Sequence, residues 1–290
     1  MKSKFDSRGK SPFFTIVLIL ILSVTFLLVF FPLLYVFLTS FASKTEMITR
    51  GFFLIPYDWT LSNYGYLLYN PNFMRSFNNS IYITVVGTAI NITLTSLMAY
   101  GLSKSWLTGR RLLNMMVLFT MLFGGGMIPT YLVVKELHLL NTFWALFLTS
   151  AIAPFHLIVM RSFFQNIPVE LEESARIDGC SELILFVRIV LPLSMPAVAT
   201  FTLFYAVHNW NTYFNAILYL SNGDKWPVQV FIRQMLSQSD AAMVSSVGEY
   251  QMGPAVKMAA VVITSLPLII IYPFLQKYFN KGMLLGSVKG

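Results

Sequence analysis

Residues 167–192 read IPVELEESARIDGCSELILFVRIVLP. A charged, helix-competent segment stands here between long apolar stretches, and that alternation decides the architecture. Pro168 suits the first turn of a helix, where its missing N–H costs nothing. Glu170, Glu172 and Glu173 follow early, where the helix dipole favours negative charge. Glu172 and Arg176 have the spacing of a side-chain pair. Gly179 suits a C-terminal cap. A second helix is predicted from near Ser181 to Leu191-Pro192. A short helix held between two membrane helices, with its polar face in the cytosol, is a mechanical lever. It can dock in a groove of a soluble partner and pass that partner's motion to the membrane. The same residues also suit an ordinary solvated loop helix.

Outward from this segment the chain is apolar. Of 290 residues, 56% are hydrophobic and 11% charged, against about 25% charged in a soluble domain. Six stretches contain no Asp, Glu, Lys or Arg: Phe13–Phe41, Ser80–Leu102, Leu112–Val134, Asn141–Met160, Leu193–Leu220 and Met258–Gln276. A hydrocarbon core of about 30 Å takes about 20 helical residues, so each can cross. The first is longer and is expected to tilt or project. The fold class expected is an all-α integral membrane protein with six transmembrane helices.

The formal charge of +8 follows the positive-inside rule more simply than it follows nucleic acid. With both termini in the cytoplasm, thirteen of the twenty Lys and Arg residues fall inside and seven outside. This N-in, C-in arrangement divides the chain into a cytoplasmic tail (1–12), a first span (13–41) and an extracytoplasmic segment (42–79). A core (80–276) with a cytoplasmic loop (161–192) and a cytoplasmic tail (277–290) follow. The basic start (Lys2, Lys4, Arg8, Lys10) precedes a run too long for a signal-peptide core, and a retained span is expected. Cys180 is the one cysteine, which excludes an intramolecular disulfide.

Polar groups in hydrocarbon face a cavity or a neighbouring helix. The fifth stretch holds the densest set: His208, Asn209, Trp210, Asn211, Thr212, Tyr213 and Asn215. Amides and hydroxyls alternating with aromatic rings suit a sugar, whose hydroxyls hydrogen-bond and whose ring face stacks. They equally suit bonds between helices. Gly124-Gly125-Gly126 before Pro129 marks either a broken helix beside a pathway or close packing through small residues. His156 after Pro154 is expected to be a packing group rather than a proton relay. Gly9-Lys10-Ser11 lacks the upstream glycine of a phosphate-binding loop, since position 4 is Lys. The three histidines and one cysteine show no metal spacing, and no metal, catalytic residue or cofactor is expected in this chain.

Glu173-Ser174-Ala175, Asp178-Gly179 and Ile189-Val190-Leu191-Pro192 resemble the "EAA" loop of ABC importer permeases. The spacing is reproduced, and Ser174 in place of the first Ala is a small departure. Trp210-Asn211, Trp226-Pro227-Val228, Ala259-Ala260 to Pro267, Gln276-Lys277-Tyr278 and Gly286 to Gly290 are similar to carbohydrate-importer permeases. The match is closest to the smaller permease of the maltose-type group. Gly125-Gly126-Met127-Ile128-Pro129 with Leu140-Asn141-Thr142 resembles the branch handling oligosaccharides.

The resemblance implies a type I ABC importer permease fold in a bacterial plasma (inner) membrane. Its partners would be a second permease, most often a different chain, two cytosolic ATP-binding subunits and an extracytoplasmic solute-binding protein. ATP and Mg would be bound by the partner ATPases. Glu173, Ser174, Ala175, Asp178 and Gly179 would sit in the coupling helix against the ATPase groove. Asn209, Trp210, Asn211 and Tyr213 would lie along the pathway. Ser246, Glu249, Tyr250 and Gly253 would reach toward the binding protein, and the tail from Leu284 to Gly290 would contact the ATPases. ATP binding would then switch the pathway from inward-open to outward-open. An ion-coupled secondary carrier is disfavoured by the charge-free spans. A membrane-embedded glycan enzyme is disfavoured because Glu46, Asp58, Glu136, Asp224, Asp240 and Glu249 form no recognisable acid/base pair.

Overall fold

The computed structural model describes residues 12–237 and 253–286, with side chains described for 13–237 and 253–273. The described chain is helical. Its only strand-like pairing is one isolated bridge between Ala42 and Trp59. Two compact units divide it: residues 1–67 with 239–263, and residues 68–238 with 264–290.

The first unit begins with helix α1 (Pro12–Thr39). Its side chains from Phe13 to Leu33 are all exposed, an apolar surface suited to lipid. Short helix α2 (Lys44–Thr49) follows, capped by Ser43, whose hydroxyl accepts the Glu46 N–H at 3.2 Å. Helix α3 (Ser62–Tyr69) begins in this unit. Its Asn63 amide donates to the carbonyls of Ser40 and Ala42, both at 2.9 Å. These carbonyls lie just past the end of α1, where a helix leaves acceptors unpaired. Glu46 is buried, pairs with Arg50, and accepts the N–H groups of Tyr57 and Asp58. The Arg50 guanidinium lies 3.8 Å from the Tyr57 ring centroid. The carboxylate therefore pins the loop that follows α2.

The second unit is organised around helix α4 (Pro71–Ser103). It starts well before the expected Ser80, because Asn70 caps it and Pro71 takes the first helical position. The Asn70 side chain accepts the N–H groups of Asn72 and Phe73 at 3.0 and 3.1 Å. Three further crossings are bent pairs rather than straight helices. Helices α5 (Arg110–Leu122) and α6 (Met127–Glu136) meet at 116° across the glycine run. Helices α7 (Phe143–Thr149) and α8 (Pro154–Gln165) meet at 55°.

The next segment is α9 (Val169–Ile177). It is followed by α10 (Glu182–Leu185), a π-helical turn over Phe186–Val190, and α11 (Leu191–Leu193). Helix α12 (Met195–Trp210) leaves that segment at 85°. Short helix α13 (Phe214–Tyr219), a 3-10 turn at Gly223–Lys225 and amphipathic α14 (Val228–Ser237) follow. The last helix, α15 (Pro254–Gly286), is long and apolar. Among the described residues, three helices are long enough to cross a membrane, and the three bent pairs raise the possible spans to six.

The glycine run is a break, not a packing contact. A Cβ on Gly124, Gly125 or Gly126 would meet nothing within 4 Å, and Gly126 has φ +84°. The fifth stretch also differs from one continuous helix over Leu193–Leu220. Helix α12 stops at Trp210, and the side chains of Asn211 and Thr212 bond the last-turn carbonyls of Val207 and His208.

Candidate functional site

Helix α9 is held by local chemistry at its C-terminal end and by ion pairs along its inner face. Asp178 closes the helix, Gly179 takes φ +79°, and the N–H groups of Gly179 and Cys180 donate to Arg176 and Ala175. This is the Schellman arrangement, which glycine accommodates without strain. Ser181 then caps α10 through the Ile184 N–H.

On the inner face, Glu172 is buried and meets Lys104, at the end of α4, with Nζ 2.5 Å from Oε2. Arg176 lies 3.9 Å from Glu172, as the spacing predicted, and 2.8 Å from Glu182. The Tyr100 hydroxyl of α4 donates to Glu182 at 2.8 Å, and the Lys104 ammonium lies 4.1 Å from the Tyr100 ring centroid. Burial would raise the Glu182 carboxyl. Hydrogen bonds from Tyr100 and Arg176, with the charges of Arg176 and Lys104, outweigh that and hold it below the usual carboxylate range. The result is a closed relay, Lys104–Glu172–Arg176–Glu182–Tyr100, that fastens the short helix to α4.

The outer face of α9 is free of such ties. Glu173, Ser174, Asp178 and Gly179 are exposed, and Ile177 is 86% exposed. Ala175 instead points inward, buried in the cluster formed with Tyr100, Phe164 and Phe186. Of the expected coupling residues, then, four present surface and Ala175 anchors.

The polar set of α12 divides in the same way. Asn209 is buried and donates to Thr88 Oγ1 at 3.2 Å and Asn91 Oδ1 at 2.9 Å, both on α4. Asn91 donates in turn to the carbonyls of Ser150 and Ala151, where the α7–α8 pair is broken. Trp210 is buried, with Nε1 donating to the Thr264 carbonyl at 3.1 Å and its ring edge-on to Phe77. Asn211 is exposed and Tyr213 half-buried. The binding-protein candidates Ser246, Glu249 and Tyr250 fall outside the described residues, as does the tail beyond Gly286. Gly253 is buried, and a Cβ there would touch the Lys44 side chain at 3.5 Å.

The broken α7–α8 span is closed by Tyr205 of α12. Its hydroxyl accepts the Ala153 N–H at 3.0 Å and bonds Thr95 of α4 at 2.7 Å. Backbone freed from helical bonding at membrane depth has to find partners inside the protein, and here Asn91 and Tyr205 supply them. Beside this break opens a cavity of about 640 Å³, lined by residues including Ser150, His156, Phe204, Tyr205, His208 and Asn215. That volume is in the range of small-molecule sites, roughly 300–1,000 Å³. His156 packs among Phe201, Phe204 and Tyr205, with centroid separations of 5.0, 5.7 and 4.7 Å.

The motifs Trp226-Pro227-Val228 and Leu140-Asn141 acquire a role in a clamp beyond α13. Trp226 Nε1 donates to the Leu220 carbonyl, the Val228 N–H to Ser80, and Lys225 Nζ to the Asn141 carbonyl. Arg75 of α4 pairs with Asp224.

A family of binding-protein-dependent transport system inner membrane components matches residues 7–285. The chain belongs to this family. As a member it is a non-catalytic, membrane-spanning permease component of the inner membrane. Among family relatives, it is 52% identical to protein LplC of Bacillus subtilis (strain 168) over 262 residues, 89% of each chain. It is 51% identical to the polygalacturonan/rhamnogalacturonan transport system permease protein YtcP of the same organism, over 89% of this chain and 92% of that one. In structure it is similar to a bacterial ABC transporter involved in the import of the acidic polysaccharide alginate. There the TM-score is 0.85 and the identity 34%, over 93% of this chain and 99% of that one.

Proposed function

We propose that this chain is one permease of an ATP-driven importer that moves an oligosaccharide delivered by an extracytoplasmic binding protein. A second permease, most simply a different chain, completes the pathway, and two cytosolic subunits bind and hydrolyse ATP with Mg. The observation that carries this reading is the construction of α9. Its inner face is bolted to α4 through buried charge, while Glu173, Ser174, Ile177 and Asp178 are left exposed. An exposed apolar tip among acidic residues suits a groove on another protein. A rigid tie behind it suits transmission of motion rather than simple adhesion.

The saccharide class is supported by relatives whose names specify polygalacturonan/rhamnogalacturonan and alginate. Asn211 is exposed and Tyr213 half-buried, which leaves both open to a role along the pathway, whereas Asn209 and Trp210 act from behind by fixing α12. Ser246, Glu249, Tyr250 and Gly253 remain the proposed approach to the binding protein. Glu173, Ser174, Asp178 and Gly179 form the proposed ATPase contact, with Ala175 seated behind them.

The test is uptake by the whole complex reconstituted in proteoliposomes with ATP inside. Glu173→Lys reverses charge on the exposed face and leaves every inner-face bond intact. Loss of ATP-dependent uptake, with the chain still in the membrane, is expected. Unchanged uptake would remove the docking assignment.

A further inference from the structure

A second cavity, of about 400 Å³, opens between the first turns of α4 and the segment that runs from Asn222 into α14. Its volume is in the range of small-molecule sites. With the N-terminus in the cytoplasm, both segments lie on the extracytoplasmic side, where a delivered solute arrives. Ser76 forms part of the wall and is 5% exposed, yet its hydroxyl has no hydrogen-bond partner among the described residues. Buried polar groups are nearly always paired. Among the described residues, the sealed side-chain polar atoms without partners are Thr84 Oγ1, His156 Nδ1 and Arg161 Nε. The Ser76 hydroxyl, by contrast, opens on the cavity. Beside it the Asn72 and Gln234 amides are also unbonded within the described residues. The Asn222 oxygen accepts the Asp224 N–H at 2.9 Å, which leaves the amino group of that amide to donate. Arg75 and Asp224 are the charged residues of the wall and pair with each other, so its net charge is zero. Trp226 closes one side, with Nε1 donating to the Leu220 carbonyl. Gly223 leaves that ring uncovered, since a Cβ there would lie 3.7 Å from Trp226 Cε3.

Resting on the importer reading above, we propose that this cavity is a saccharide subsite at the extracytoplasmic mouth, and that it reads the hydroxyls of one sugar ring. Sugar hydroxyls both donate and accept. The wall offers hydroxyl and amide groups that do the same. A carboxylate or an ammonium would find no uncompensated opposite charge here, so the fit is to the hydroxyl-bearing ring and not to a charged substituent. Ser76 and Asn72 stand on α4 and Gln234 on α14, so one ring is held between two helices. The Asp224 carboxylate, fixed by Arg75, accepts from a further hydroxyl. The apolar face of the ring lies on Trp226. The site is distinct from the cavity beside the α7–α8 break and is met first by a solute entering from outside.

The experiment uses the complete complex with its binding protein in ATP-loaded proteoliposomes. The probes are trigalacturonate and the same trisaccharide after carboxyl reduction, both of which keep their ring hydroxyls. Uptake is measured at limiting concentrations of the loaded binding protein. Ser76→Ala is expected to lower uptake of whichever probe the wild type carries about fivefold, the scale of one net hydrogen bond. Where both are carried, both should fall by the same factor. Gln234 is exposed, so Gln234→Ala keeps the test valid if Ser76→Ala fails to assemble, as judged by co-purification of all subunits. Unchanged uptake in an assembled variant overturns the subsite and leaves the importer standing. A fall confined to the acidic probe overturns the hydroxyl assignment. An equal loss of affinity for the sugar-free binding protein, measured by co-sedimentation with the proteoliposomes, would make the cavity a protein-docking socket and overturn the subsite. Wild-type uptake of neither probe, while the binding protein stimulates ATP turnover, removes the saccharide reading and the subsite with it.

Discussion

Gly87 of α4 lies directly against the side chain of Asn209 of α12. A Cβ at Gly87 would sit 2.9 Å from Asn209 Nδ2 and 3.1 Å from its Cγ. The amide it would strike is the one that donates to Thr88 and Asn91. Glycine is required here by proximity, since the position is plain helix.

Gly87→Ala is therefore expected to push Asn209 off Asn91 and separate α4 from α12. Overpacking of a close contact costs roughly 1–3 kcal/mol. Gly101 of the same helix is the control, because a Cβ there meets nothing within 4 Å. Gly101→Ala is expected to be neutral or to stabilise by about 0.5–1 kcal/mol through helix propensity. Thermal unfolding of the two variants in detergent decides this. Equal melting temperatures would show that the Gly87 contact is not tight.

Lys104 and Glu172 form a pair whose side chains are 6% and 12% exposed. Lys104→Met leaves the Glu172 carboxylate with only Arg176, at 3.9 Å. Breaking one side of a buried pair costs about 3–5 kcal/mol, whereas replacing both sides by apolar residues is often neutral. The variant carrying both Lys104→Met and Glu172→Leu should thus recover most of the melting temperature. If the pair transmits force, it should not recover uptake per ATP hydrolysed. Recovery of both would make the relay structural only.

Much of this was legible beforehand, for local reasons. The Gly179 cap of α9, the Ser181 start of α10 and the Glu172–Arg176 pair all depend on residues within a turn or two of each other, whereas the run Gly124–Gly126 suited a break and close packing equally until its surroundings were seen to be empty. The number of apolar crossings depends only on length and charge. Lys104 was not legible as the partner of Glu172, because the two are 68 residues apart and a lysine at a helix end has many uses. The dual burial of Asn209 and Trp210 was equally hidden. A polar residue in an apolar stretch announces that it needs partners, not whether those partners are Asn91 and Thr264 or a ligand. The 55° bend after α7 was also hidden, since Ser150 to Ala153 contain no glycine and only Pro154 marks the restart.

Glu46 provides a pH signature in the first unit. Burial would raise its carboxyl, but the N–H groups of Tyr57 and Asp58 and the Arg50 guanidinium outweigh burial and hold it below the ordinary carboxylate value of 4.5. A depressed native value means that the ionised form stabilises the fold above pH 4.5. That stabilisation is lost as the pH falls through the native value. Melting temperature measured between pH 6 and pH 3 should therefore drop more steeply in the wild type than in Glu46→Gln, which starts lower and has no such titration. Parallel curves would mean that Glu46 does not hold the loop.

The Tyr205 hydroxyl has two partners, and they differ in what depends on it. Thr95 sits within α4, where a threonine hydroxyl can turn to the carbonyl three or four residues back. The Ala153 N–H lies at the break before α8, with Tyr205 as its acceptor at 3.0 Å. Tyr205→Phe removes the acceptor and strands a backbone donor, at about 1–2 kcal/mol. Thr95→Val removes only the other partner and leaves the Ala153 bond in place, at about 0.5 kcal/mol. Tyr205→Phe should also speed amide hydrogen exchange at Ala153, whereas Thr95→Val should leave it slow. A Thr95→Val variant as destabilised as Tyr205→Phe, with equal exchange at Ala153, would mean that the break is held by Asn91 through the Ser150 and Ala151 carbonyls alone.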